Sequence, residues 1–280
     1  MRTIDAAAVT EKVAELCMEA SYELGEDVKT KFAEFKATEE SPTARSILEQ
    51  IETNAEIART ERVPMCQDTG FAVFFVELGS DVRIEGATLT EAINEGVRKG
   101  YQEGYLRKSI LEDGLRRVNT GDNTPAVIHY RIVPGDELKI THMPKGGGSE
   151  NMSRVRMLRP ADGAEGVKQF ALEAVSEAGP NPCPPIVVGI GIGGTFEIAA
   201  YHAKKSLLRP LGSPNPDPFL DEMEKDLLEK INKMGIGPQG MGGRTTALAV
   251  HIISWACHIA SLPAAVNIEC HAHRHKTAIL

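Results

Sequence analysis

The 280-residue sequence lacks several things, and each absence excludes something. No run of lysine and arginine reads as a basic tail, and the formal charge is −8. That balance favours solubility and argues against a nucleic-acid backbone as main partner, because phosphate binding needs neutralising cations. The first residues contain no apolar core segment and carry Asp5 and Glu11, so they are not a secretory signal. Residues 247–268 are uncharged, but His251, Ser254, His258, Ser261 and Pro263 interrupt the run. A buried strand or helix fits better than a membrane span. Cysteine is sparse: Cys17, Cys66, Cys183, Cys257 and Cys270 are odd in number and far apart. That pattern does not suggest a disulfide framework and points to a reducing cytoplasm. No internal repeat or low-complexity tract is visible. An acidic protein that binds an acidic metabolite must then do so through local basic residues.

What is present is an ordinary globular composition with mixed periodicities. Val9, Val13, Leu16, Cys17 and Ala20 recur at helical spacing over 5–24, with Asp5 as N-cap and Gly25 as stop. Residues 26–38 predict a second helix, and Pro42 opens a third that runs to about Thr60. After Gly70 the pattern changes. Phe71–Leu78 predicts a buried strand and 89–106 a helix; Val127–Val133 and Glu137–Met143 predict two strands joined by Pro134-Gly135-Asp136. Helices are expected over 162–178, 197–208 and 219–234, and strands over 186–192, 250–255 and 264–269. The order favours an α+β fold, read as a single domain over 1–280: a helical portion over 1–62, then mixed β-sheets flanked by helices over 63–280.

Three cysteines have unusual neighbours: Pro-Met-Cys66-Gln-Asp-Thr-Gly, Asn-Pro-Cys183-Pro-Pro and Ile-Glu-Cys270-His-Ala-His-Arg. Prolines stiffen the Cys183 loop, which suits a metal ligand or a small cysteine buried in a turn. Cys17 and Cys257 sit on apolar periodic segments and read as core. Thiolates select zinc, copper(I) or iron–sulfur clusters. Three of them would hold three irons of a cubane cluster and leave the fourth open. Cys270, His271, His273 and His275 could imitate half a zinc site, or the histidines could belong to a solvated tail. Gly189, Gly191 and Gly194 match a dinucleotide spacing, but the helix that follows runs into a Pro-rich loop rather than a second parallel strand. An anion-binding turn and tight helix–strand packing remain open there. Lys145-Gly146-Gly147-Gly148-Ser149 suggests an anion-binding concavity or a flexible linker.

Taken together, these segments resemble the α subunit, or N-terminal domain, of the class I iron–sulfur-dependent fumarate hydratase and L-tartrate dehydratase family. The resemblance rests on CQDTG at 66–70, LRKS at 106–109, VNTGDNTPA at 118–126, KGGGSEN at 145–151, CPP at 183–185, GIGGT at 191–195 and the Cys270 segment. It implies a [4Fe-4S] cluster on Cys66, Cys183 and Cys270, acting as Lewis acid on a C4-dicarboxylate. It implies that Asp68 handles the hydroxyl proton and that His258 is a second catalytic residue. Gln67, Arg107 and the Gly147 backbone would contact the substrate, Arg107 as a planar fork on a carboxylate.

Single-chain members of that family continue well past the third cysteine into a domain that supplies the C3 proton base. Here ten residues follow Cys270. A separate β subunit is therefore expected, together with a contact between α chains. The expected activity is reversible hydration of fumarate to L-malate. The alternatives are an L-tartrate dehydratase α subunit, a non-catalytic iron–sulfur binding protein, or a dinucleotide-binding oxidoreductase.

Overall fold

Helical periodicity in the first third of the chain becomes three helices. A short strand β1 (Arg2–Asp5) leads into α1 (Ala6–Tyr22), followed by α2 (Glu26–Thr38) and α3 (Pro42–Glu61). Asp5 caps α1 by accepting from the Ala7 amide at 2.9 Å. The chain continues through β2 (Phe71–Gly79), β3 (Val82–Glu85), α4 (Leu89–Glu103), β4 (Val127–Val133), β5 (Leu138–Lys145) and a single turn α5 (Gly147–Glu150). Next come β6 (Arg154–Leu158), α6 (Gly163–Ala178), β7 (Ile186–Gly194), α7 (Phe196–Ser206) and α8 (Pro218–Asn232). Strands β8 (Ala247–Cys257), β9 (Leu262–Glu269) and β10 (Lys276–Ile279) close the chain. The expected α+β class holds. The computed structural model describes residues 1–280 and groups them into two units.

The first unit comprises Met1–Leu24, Asn54–Gly147 and Arg274–Leu280. Its sheet has the order β10-β5-β2-β4. Strands β4 and β5, adjacent in sequence, do not pair with each other. Strand β2 lies between them, parallel to β4 and antiparallel to β5. The link through Pro134-Gly135-Asp136 passes over the end of β2, where Ser80 and Asp81 donate to Val133 O and Gly135 O. Val9, Val13 and Leu16 of α1 pack with Ile93, Val97 and Tyr101 of α4 and with Phe74, Val76 and Ile140 of the sheet. Each fully buried aliphatic side chain contributes about 1.5–3 kcal/mol.

The second unit comprises Gly25–Thr53 and Gly148–His273. Its sheet has the order β6-β9-β7-β8. Here β7 is central, parallel to β8 and antiparallel to β9. One face carries Val188, Ile190, Val250 and Ile268 against Val167 and Phe170 of α6 and Leu227 and Ile231 of α8. The glycines of β7 settle an open question. A Cβ on Gly189 would stand 2.1 Å from Ala203 O, and one on Gly191 2.0 Å from Ala199 O. They let α7 pack tightly on the strand.

The two sheets share a plan that no sequence repeat announces. Each has a central strand (β2, β7), a later parallel neighbour (β4, β8) and an antiparallel neighbour reached by a link over the central strand's far end (β5, β9). In an antiparallel pair the start of one strand lies beside the end of the other. Loops far apart in sequence therefore meet at that edge in each unit.

Candidate active site

In the first unit the meeting point is the start of β2 and the end of β5, where Phe71 pairs with Lys145. Residues 66–70 form the turn that enters β2. Gly70 takes φ +71°, and a Cβ there would lie 2.4 Å from Lys145 O, so only glycine fits. The Asp68 carboxylate is fixed by two backbone donors: Gly70 N to Oδ1 at 3.0 Å and Gly147 N to Oδ2 at 2.7 Å. The Asp68 amide faces the Cys66 sulfur at 3.4 Å, and that thiol lies 3.3 Å from Gln67 Oε1.

The LRKS segment is tied to the same turn. Thr69 Oγ1 donates to Arg107 O at 3.0 Å. Asn119 Nδ2 donates to Lys108 O, and Ser109 N donates to Asn123 Oδ1 at 2.7 Å. The backbone around Arg107 is thus held while its side chain stays exposed. The VNTGDNTPA loop is the brace between the two segments rather than an ordinary turn. Buried Asn123, at φ +63°, bonds both Ser109 and Gly70. Asp122 helps fix this loop. Burial alone would raise its pKa, but bonds from Thr124 and Arg98 hold it down at about 2.

Sequence reasoning missed two parts of this turn's support. Tyr101 donates to Thr69 O and Gly70 O at 3.0 and 3.2 Å, and Arg274 Nη2 donates to Asp68 O at 2.9 Å. Tyr101 lies on α4 with its ring in the core, and local sequence does not show where its hydroxyl points. Arg274 belongs to the Cys270 segment, between His273 and His275, and its partner Asp68 lies 206 positions away. The segment is not a solvated tail, since His273 and Arg274 are 1% and 3% exposed.

In the second unit the same edge holds Cys183 and Cys270. Val187 pairs with Glu269, so the loop entering β7 lies beside the exit of β9. The His271 amide donates to Cys183 O at 3.2 Å, and Gln239 bonds Pro184 O through its backbone and side chain. Cys183 takes φ +56° with an exposed side chain, while Cys270 is half-buried.

The other cysteines separate clearly. Cys17 is wholly buried in the first unit, and burial pushes its thiol far above the ordinary range, which is wrong for a thiolate ligand. Cys257 was expected in the core but is exposed at the end of β8. His258 follows in the turn to β9, exposed, with Nδ1 accepting from the Ala260 amide. It is neither a core histidine nor a neighbour of Cys183 and Cys270. Those cysteines flank the start of β7, and Gly194 pairs with Cys257 at its end, roughly 23 Å away at ordinary strand rise.

The sequence matches known proteins along nearly its whole length. Residues 10–279 match the family model described as fumarate hydratase (Fumerase). A Methanocaldococcus jannaschii protein, provisionally designated L(+)-tartrate dehydratase subunit alpha, is 44% identical over 271 residues, covering 95% of each chain. The L(+)-tartrate dehydratase subunit alpha of Escherichia coli K12 is 36% identical over 276 residues, covering 97% of this chain and 90% of that one.

Proposed function

The chain belongs to the fumarate hydratase (Fumerase) family of hydro-lyases, and from that premise we propose that it is the α subunit of a two-subunit enzyme that reversibly hydrates fumarate to L-malate. The observation that carries this reading is the Asp68 carboxylate, aimed by the amides of Gly70 and Gly147 beside Cys66 and Gln67. A carboxylate held by two backbone donors keeps one orientation and can pass a proton at a substrate hydroxyl oxygen. Arg107 pairs with a substrate carboxylate from a braced backbone, and Gln67 and the Gly147 backbone flank the same position.

Cys66, Cys183 and Cys270 fit an iron–sulfur cluster by their donor chemistry. All three side chains are partly or fully exposed, each beside the start of a central strand, unlike the wholly buried Cys17. When bound, a [4Fe-4S] cluster would supply Lewis acidity toward the hydroxyl and one carboxylate.

The remaining groups, including the C3 proton base, are assigned to a separate β subunit. The relatives' designation as subunit alpha supports a companion chain. His258 stands apart from this chain's Cys183 and Cys270. We assign it, with exposed Trp255 and Ile259, to the contact between two α chains. No helix of the chain is long and apolar enough to cross a membrane, and we place the enzyme in the cytoplasm.

The relatives' names favour a second reading, L-tartrate dehydration to oxaloacetate. Anaerobic co-purification with the companion subunit, then assays on fumarate, L-malate and L-tartrate, tests both. Activity on tartrate alone replaces the first reading with the second. Full activity from the α chain by itself overturns the two-subunit assignment.

A further inference from the structure

Three consecutive carbonyls of the turn into β2 are each capped by a buried side chain of the first unit. Asp68 O accepts from Arg274, Thr69 O from Tyr101, and Gly70 O from Tyr101 and Asn123. The two neutral caps serve as an internal control. A hydroxyl and an amide suffice for Thr69 and Gly70, so capping a carbonyl does not by itself call for a charge at Asp68. Arg274 adds a permanent positive charge and donors in excess of the cap. It is 3% exposed, it makes no ion pair, and its Nε and Nη1 are buried without a hydrogen-bond partner. The Asp68 carboxylate makes no ion pair with it and is turned to the Gly70 and Gly147 amides. Burying a guanidinium without a counter-charge is costly, and such groups persist where an anion pairs with them.

We propose that Arg274 is an anion-binding residue at the Asp68 turn. Its Nη2 holds the Asp68 backbone, and its remaining N–H groups receive an anion placed against that turn. The inference rests on the hydro-lyase reading only for the anion's source. A substrate carboxylate and the anionic thiolate-bound cluster offer the same chemistry. Either way, Arg274 would couple the anion's position to that of the Asp68 carboxylate, which belongs to the same residue as the carbonyl it caps.

The test uses the full chain, alone and with its companion subunit, as wild type, Arg274→Gln and Arg274→Lys. In the cluster-free chain, succinate or sulfate should raise the melting temperature of wild type, with at least tenfold more anion needed for Arg274→Gln. In the anaerobically reconstituted complex, two results support the proposal and identify the source. Wild-type iron content with a KM for L-malate at least tenfold higher and kcat within threefold assigns the anion to the substrate. Loss of most iron, or an altered electron paramagnetic resonance signal, assigns it to the cofactor.

Wild-type iron, signal, KM and anion response in Arg274→Gln would reduce Arg274 to a carbonyl cap and overturn the proposal. Should that variant not fold, Arg274→Lys decides. Lysine can still cap Asp68 O but cannot reproduce the guanidinium fork, so wild-type behaviour overturns the idea and a tenfold change sustains it. A complex with no hydro-lyase activity, whose anion response or iron still depends on Arg274, refutes the functional reading and leaves Arg274's role standing. An active complex indifferent to both substitutions does the reverse.

Discussion

The amide of Gly147 donates to Asp68 Oδ2 at 2.7 Å across 79 positions of sequence. The bond exists because β2 and β5 are antiparallel neighbours, which brings the entry of one beside the exit of the other. Together with the Gly70 amide on Oδ1, it holds the carboxylate of a half-buried residue in one orientation.

Replacing Asp68 with asparagine tests that aim and the proton role together. The amide NH2 would face one of the two backbone donors, and the base would be gone. We expect kcat of the assembled enzyme to fall by about 10²–10⁴-fold, with the melting temperature little changed. Steady-state kinetics on L-malate decide this; a loss under threefold would remove Asp68 from the chemistry.

The cysteines divide by environment. Cys66→Ser, Cys183→Ser and Cys270→Ser should each lose most bound iron and the activity that depends on it. Cys257→Ala should keep both, its side chain being exposed. Cys17→Ala should also keep both, at a cost of about 1 kcal/mol from the vacated core position. Iron and sulfide analysis after anaerobic reconstitution is the measurement. Iron loss in Cys17→Ala, with retention in Cys183→Ser, would overturn the ligand set.

Arg107 is exposed on a backbone braced by Thr69, Asn119 and Asn123. Arg107→Ala should lower kcat/KM about 10–100-fold, the range of a lost charge-assisted hydrogen bond. Arg107→Lys should recover only part of it. A kcat/KM within twofold of wild type for the alanine variant would exclude a substrate contact.

Two core histidines make stability depend on pH. His142 in the first unit stacks on Phe74, and His251 in the second unit lies beside Ser206 O. Burial pushes both down to about 3, against about 6.5 in an unfolded chain. Between those values the unfolded chain holds the extra proton. Each histidine therefore contributes stability that is complete above about pH 6.5 and is lost as pH falls toward 3. The slope is about 1.4 kcal/mol per pH unit for each. Urea unfolding at pH 7, 6 and 5 should show His142→Gln losing stability less steeply than wild type. Parallel pH profiles for the two proteins would contradict this.

Most local elements were legible in the residues. Asp5 and Pro42 mark helix starts, apolar spacing identifies α1, and runs of apolar, β-branched and aromatic residues identify β2, β7 and β9. Such signals are written within a few residues of where they act. Strand partners are not. Pro134-Gly135-Asp136 was recognisable as a turn, but nothing near it tells that β2 lies between the strands it joins. The short β10 escaped notice because its four residues pair only with distant β5. The same holds for His258, whose place in the turn between β8 and β9 depends on strand order rather than on its neighbours.

By itself the sequence marked the unusual cysteines and the helices that carry the framework, through local residue chemistry and periodicity, while its resemblance to a known family implied the ligand set and the roles of Asp68 and Arg107. Only the tertiary structure decided that Gly147 aims Asp68, that Asn123 braces Arg107, and that Arg274 is buried against Asp68 O with donors to spare. Each of these depends on strand order and register, and those are settled by packing between segments tens to hundreds of residues apart.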